Sequence, residues 1–160
     1  MRHECVAGFS MNERYFEDLK VGDRFKSRIY KVTEEGIISF AREFDPQSFH
    51  LDPAKAKQTI FEGLIASGWH TAAITMRLLV QMLNLAEGPI GLGVVELRWP
   101  SPVRPGDSLE VETEIVELRK SRSKPNYGVI RLHNVTKNQR AEIVQTMTAA
   151  ALALRRKLQA

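Results

Sequence analysis

A single cysteine, Cys5, stands near the start of the chain, which excludes an internal disulfide framework and makes a cysteine-based metal site untenable. No apolar run reaches the roughly 18–20 residues that a membrane-spanning helix requires. The opening Met1 to Asn12 carries Arg2 and His3 but lacks the continuous apolar stretch of a secretory signal. A soluble protein with a cytoplasmic address is therefore expected. No repeat, low-complexity block or Pro/Gly/Ser linker divides the chain, so no internal domain boundary is drawn. Metal-binding spacing is missing too, because no two His or acidic residues combine i, i+4 spacing with a third partner.

Charge of one sign is also in short supply. The formal net charge of +4 is spread along the 160 residues, which speaks against an extended nucleic-acid surface. The densest basic cluster is Arg119, Lys120, Arg122 and Lys124, and it lacks the interleaved aromatics of a single-strand-binding surface. A phosphate-bearing small molecule suits it better, and a solvated, charge-rich turn suits it equally well. Neither a nucleic-acid nor a membrane partner is expected.

A chain of this length buries roughly 70% of its unfolded surface without needing a staple. The organised pattern begins at Tyr15, so residues 1–14 are assigned to a flexible tail and 15–160 to one domain. After the Val21-Gly22-Asp23 turn, residues 24–32 alternate loosely and read as one strand. Thr33 offers a helix N-cap, with Glu34 and Glu35 where the helix dipole favours negative charge. Ile37, Phe40, Ala41 and Phe44 follow at i, i+3, i+4 and i+7. Residues 45–67 form a structured loop broken by Pro46, Pro53 and Gly63, with one helical turn started by Asp52-Pro53. Trp69, Ala72, Ala73, Met76, Leu79, Val80 and Leu83 then fall on one helical stripe and predict the central packing helix, ending near Ala86. Four strands are expected at 92–100, 108–119, 127–137 and 141–155, pairing antiparallel as a meander-like sheet around that helix. The last is rich in alanine and suits a helix by propensity alone, but Ile143, Gln145, Met147 and Ala149 continue an alternating face. The fold class is α+β.

Chemistry concentrates in two phrases. Phe44-Asp45-Pro46-Gln47-Ser48-Phe49-His50 sets a carboxylate and an imidazole five positions apart, and the prolines allow both to converge on one water for acid/base work. The same spacing also suits a turn aspartate and a surface histidine. Gly63 to Thr71 brings Gly68 to the start of the long helix, where unpaired N–H groups and positive partial charge suit a polarised oxygen. Gly68 also suits a simple turn into the helix, and Ser67 an N-cap. His70 and His133 lie within regular elements and read as structural, while Met76 and Met82 read as core or near-core residues.

Taken together these phrases resemble the MaoC-like dehydratase family, whose best-known members are (R)-specific enoyl-CoA hydratases. The resemblance runs from Tyr15 over nearly the whole chain. It rests on residues 15–19, 21–23, 44–50 and 63–71, with Val-Arg-Pro-Gly-Asp at 103–107 and Ser-Arg-Ser-Lys-Pro at 121–125 in support. It implies a hotdog fold, an antiparallel sheet wrapped around the long helix. It also implies that Asp45 and His50 match the catalytic pair and that Gly68 matches the glycine whose N–H polarises the thioester carbonyl. Many hydratases of the family carry asparagine and proline where this chain has Gln47 and Ser48, and a histidine where it has Ser67.

The expected function is hydration of a 2-enoyl-CoA, or the reverse dehydration, with Asp45 as base and His50 as proton donor or the roles exchanged. Ser67 is a candidate hydrogen-bond partner for Asp45 or substrate. No cofactor is expected beyond the coenzyme A carried by the substrate. The resemblance further implies a homodimer with the acyl-CoA along the subunit seam, where Arg119, Arg122 and Lys124 would meet its phosphates. The rival readings are a thioesterase on the same fold and a non-catalytic acyl-CoA-binding partner subunit.

Overall fold

The structure, a computed structural model, describes residues 12–157, so Cys5 and most of the expected tail lie outside the described residues. Arg14, assigned to that tail from sequence, is held in place. Its backbone bridges to Leu85, and its guanidinium donates to the carbonyls of Met82 and Leu83 at 2.9 and 2.7 Å.

The expected first strand is two short ones, β1 (Arg24–Lys26) and β2 (Tyr30–Lys31). Both pair with β4 (Ser108–Lys120), but Lys26 stands opposite Glu112 and Tyr30 opposite Leu109, leaving one surplus residue on the first side. Ser27 absorbs it: its N–H donates to Val111 O, and its hydroxyl accepts the Val111 N–H.

Helix α1 (Glu34–Phe44) begins at the Thr33 cap, whose Oγ1 accepts the Gly36 N–H at 3.0 Å. The following loop contains a helical turn that the sequence reading missed, α2 (Ser48–Leu51), before the expected one, α3 (Pro53–Ala56), capped by Asp52. Helix α4 (Gly68–Leu83) is the long central helix and stops at Asn84, which takes the left-handed conformation with φ 44°. Its inward face shares only Leu79 and Leu83 with the expected stripe. Thr71, Ile74, Thr75, Leu78, Leu79 and Leu83 are buried, whereas Trp69, Ala73, Met76 and Val80 are exposed. The two inward threonines find partners: Thr75 Oγ1 meets Thr136 Oγ1 at 2.8 Å, and the Thr71 hydroxyl donates to Ser67 O.

Strands β3 (Ile90–Arg98), β5 (Tyr127–Lys137) and β6 (Ile143–Leu154) complete an antiparallel sheet in the order β1-β4-β5-β6-β3. Thus β3 does not neighbour β4 as a meander would require; it pairs with β6, and residues 99–107 cross back over the sheet. The alanine-rich segment is a strand, its Ala149–Ala153 stretch lying between β5 and β3. The core packs Ile74, Leu78 and Leu79 of α4 on Leu109, Val111, Val144 and Met147 of the sheet. No residue of β3 is buried, and Val95 is 70% exposed.

Candidate active site

Asp45 closes helix α1: its N–H donates to Ala41 O at 2.9 Å, and its side chain leaves the helix end. The turn α2 then returns His50 toward it, so that His50 Nε2 lies 3.3 Å from Asp45 Oδ2. His50 is buried and Asp45 largely so. The opposite ring nitrogen, His50 Nδ1, is 2.8 Å from Ile65 O. A carbonyl oxygen only accepts, so Nδ1 carries hydrogen and Nε2 is the nitrogen turned to the carboxylate.

Burial pushes the Asp45 carboxyl up, but hydrogen bonding to Ser67 and Gln47, with the His50 ring beside it, holds it below the ordinary carboxylate range. The Gln47 bond is Nε2 to Oδ1 at 2.8 Å. Gln47 was visible in the sequence only as a departure from the family pattern; its place is to hold the carboxylate. The Ser67 oxygen also accepts the Trp69 N–H at 3.2 Å, so the residue caps α4 while its hydroxyl stands beside the Asp45 carboxylate and favours the ionised form.

Gly68 is the first residue of α4, and its N–H belongs to the set that a helix leaves without an internal acceptor. Its lack of a side chain has a reason that sequence did not disclose. A Cβ there would come within 2.6–2.9 Å of three atoms of the Trp99 ring. Trp99 lies flat on the helix tip, meets Trp69 edge-on at 5.4 Å, and donates from Nε1 to Gln145 Oε1 at 2.8 Å. Trp99 was not singled out from sequence, and Gln145 only as one residue of an alternating face. Trp99 follows the end of β3 and Gln145 lies on the paired strand β6, neighbours across the sheet but far apart in the chain, and neither sits in a recognisable motif.

Arg119, Arg122 and Lys124 line, with Leu92 and Leu152, a cleft of about 270 Å³. Arg119 is paired with Glu117 at 3.5 Å. This cleft is not beside Asp45 and His50 of the same chain. The helix tip packs at the approach to β4, where Ala66 N–H donates to Val103 O, whereas the cleft lies past the other end of that strand. At about 3.3 Å per residue the intervening strand is roughly 40 Å long.

His70 is structural as expected, stacked on Phe40 with ring centres 4.7 Å apart. His133 likewise bonds Thr148 across the sheet. Met82 packs against both parts of the core, whereas Met76 is exposed, contrary to the reading of it as near-core. Burial alone pushes the His70 pKa down, and its Nδ1 has no hydrogen-bond partner among the described residues. The folded state therefore binds fewer protons than the unfolded one. The stability this confers is complete above the unfolded value near about 6.5 and is lost as pH falls through and below it. His70→Phe, which keeps the stack, is expected to flatten the fall of the urea midpoint between about pH 7 and 5.5 relative to the parent.

Comparison with known proteins agrees with this architecture. A family profile described as MaoC like domain matches residues 18–138. A crystal structure of a MaoC-like dehydratase from Rhodospirillum rubrum superposes with a TM-score of 0.85 at 52% identity, covering 91% of this chain and 99% of that one. The Bacillus subtilis protein YdeM, described as uncharacterized, is 32% identical over 78% of this chain and 87% of its own. The (R)-specific enoyl-CoA hydratase of Aeromonas caviae is 33% identical over 66% of this chain and 78% of its own. With the hotdog sheet, the central helix and these likenesses in hand, the chain belongs to the MaoC-like domain family.

Proposed function

We propose that the protein is a hydratase or dehydratase that adds water to a 2-enoyl-CoA, or removes it from a 3-hydroxyacyl-CoA, by acid–base work of Asp45 and His50. The observation that carries this reading is the 3.3 Å approach of His50 Nε2 to Asp45 Oδ2, with Nδ1 committed to Ile65 O. In the forward direction water oxygen bonds to C3 as the Asp45 carboxylate takes its proton. The double-bond electrons move toward the thioester oxygen, where the Gly68 N–H and the α4 dipole meet the charge. In this cycle His50 starts with hydrogen on both ring nitrogens: C2 takes the proton from Nε2, Nδ1 keeps its own against Ile65 O, and Asp45 returns the proton it took from water to Nε2 across their contact. Water is consumed, both side chains end as they began, and no cofactor is needed beyond the coenzyme A of the substrate.

The active form in this reading is a homodimer. Strand β3 is an edge with no buried residue, and it carries Ile90, Leu92, Val94 and Val95 to the surface. A long apolar edge calls for a partner. A second copy paired antiparallel along β3 sets the Leu92 end of one subunit beside the Trp99 end of the other. That arrangement carries the Arg119–Lys124 cleft of one chain toward the helix tip of its mate, which the separation within one chain otherwise forbids. Arg122→Ala with Lys124→Ala is expected to raise KM for a coenzyme A thioester and to leave KM for its phosphate-free N-acetylcysteamine analogue unchanged.

Incubation of the purified protein with crotonyl-CoA, and separately with a saturated acyl-CoA, tests the reaction. Loss of the double bond without free thiol is expected. Thiol release with the unsaturation intact would establish a thioesterase instead. Binding of thioester with neither change would leave the partner-subunit reading.

A further inference from the structure

The segment that orients His50 hangs from the crossing that leads into β4. Ala66 N–H donates to Val103 O at 2.8 Å, and Arg104 Nη2 donates to Phe61 O at 2.7 Å. Between these two attachments Ile65 N–H donates to Phe49 O at 3.2 Å, and Ile65 O takes His50 Nδ1. The rings continue the path: Phe61 tilts onto Phe49 at 5.2 Å, and Phe49 meets His50 edge-on at 4.5 Å. Gly63 passes so close that a Cβ on it would stand 3.3 Å from Arg104 Nη1.

Arg104 is an unusual group to find at such a joint. It is half-buried, and among the described residues its guanidinium forms no ion pair; Asp107 takes only its backbone N–H, at 2.8 Å. A cation removed partly from water and committed to a peptide carbonyl makes a charge-assisted bond that a neutral side chain does not replace. The attachment at Val103 fixes one end of the 61–66 segment through backbone alone. At the end nearest the Phe61–Phe49–His50 stack, Thr59 holds the N–H groups of Phe61 and Glu62 from within the same loop, and Arg104 is the side chain that ties the Phe61 carbonyl to the crossing into β4.

We propose that Arg104 is a positioning residue for His50. By clamping the Phe61 carbonyl it sets the Phe49 ring and the Ile65 carbonyl, and through them the place of the imidazole relative to Asp45. The inference rests on the acid–base reading of that pair and names a residue that never touches the substrate.

The test uses Arg104→Gln and Arg104→Lys in the full chain with two readouts. The first is the nitrogen and proton resonances of the His50 ring, followed against pH. Arg104→Gln is expected to move them while those of His133 stay in place, and Arg104→Lys, which retains a charged donor, to move them less. The second is turnover of crotonyl-CoA. Since a misplacement of about 1 Å costs on the order of 100-fold, kcat is expected to fall by at least about tenfold in Arg104→Gln with KM nearly unchanged. Added guanidinium should restore part of the loss in Arg104→Ala. His50 resonances that do not move overturn the proposal, and so does a rise in KM at constant kcat, which would make Arg104 a substrate contact. Should Arg104→Gln fail to fold, the lysine variant gives the same decision by the same two readouts. The ring spectrum is read without turnover, so a protein with no hydratase activity would still decide whether Arg104 positions His50.

Discussion

Replacing Asp45 with asparagine is expected to lower kcat for enoyl thioester hydration by about 100- to 10,000-fold, the range spanned by positioned general acids and bases. The amide is nearly the same shape, so the Gln47 and Ser67 contacts have a group to meet and the fold should survive. What disappears is the one carboxylate within ion-pair reach of His50 Nε2 among the described residues. KM should change little, because the lost interaction is with the attacking water. The acid limb of the pH–rate profile carries the same message. Hydrogen bonds hold the Asp45 carboxyl below its ordinary range, so the parent's activity should persist to lower pH than an unperturbed carboxylate would allow. The sign for stability matches: this contribution is present above the unfolded value near about 3.9 and is lost as pH falls through the lower folded one. An Asp45→Asn protein that turns over crotonyl-CoA at the parent rate would remove the carboxylate from the mechanism.

Gly68→Ala is expected to act on stability and turnover together. The added methyl meets the Trp99 ring at 2.6–2.9 Å, and the indole is not free to yield, being bonded to Gln145 and packed on Trp69. Overpacking of this kind costs about 1–3 kcal/mol. Moving the helix tip also displaces the Gly68 N–H, and loss of one such donor costs about 2.7–4 kcal/mol of transition-state stabilisation, or roughly 100- to 1,000-fold in kcat. The two losses separate in a double variant. Trp99→Leu added to Gly68→Ala makes room for the methyl, so the urea midpoint should recover in part. Turnover should not, because the wall that sets the tip is gone. Recovery of turnover in the double variant would mean that Trp99 merely fills space there.

The sequence carries the local signals of this fold plainly and the long-range ones poorly. Thr33 before a pair of glutamates and Asp52 before Pro53 are statements about adjacent atoms, and both caps form as read. Helix α4 shows the limit. Apolar residues lie around most of its circumference, so periodicity announces a helix without choosing its inward side. The side that faces the sheet includes Thr71 and Thr75, whose hydroxyls are welcome inside only because Ser67 O and Thr136 await them. Likewise Asp45 and His50 could be named from their motif, but their approach depends on the four-residue turn α2, too short for any periodic signature. Gln145, Trp99 and Arg104 matter through contacts with residues remote in the chain, which no spacing rule encodes.

The bare edge of β3 has one more effect, on how tough this protein will look in a melting experiment. If two copies hide that strand from water, dissociation and denaturation become a single event whose midpoint climbs as the solution is made more concentrated. A dilute sample then melts early, and a crowded one resists heat with no atom of its chain altered.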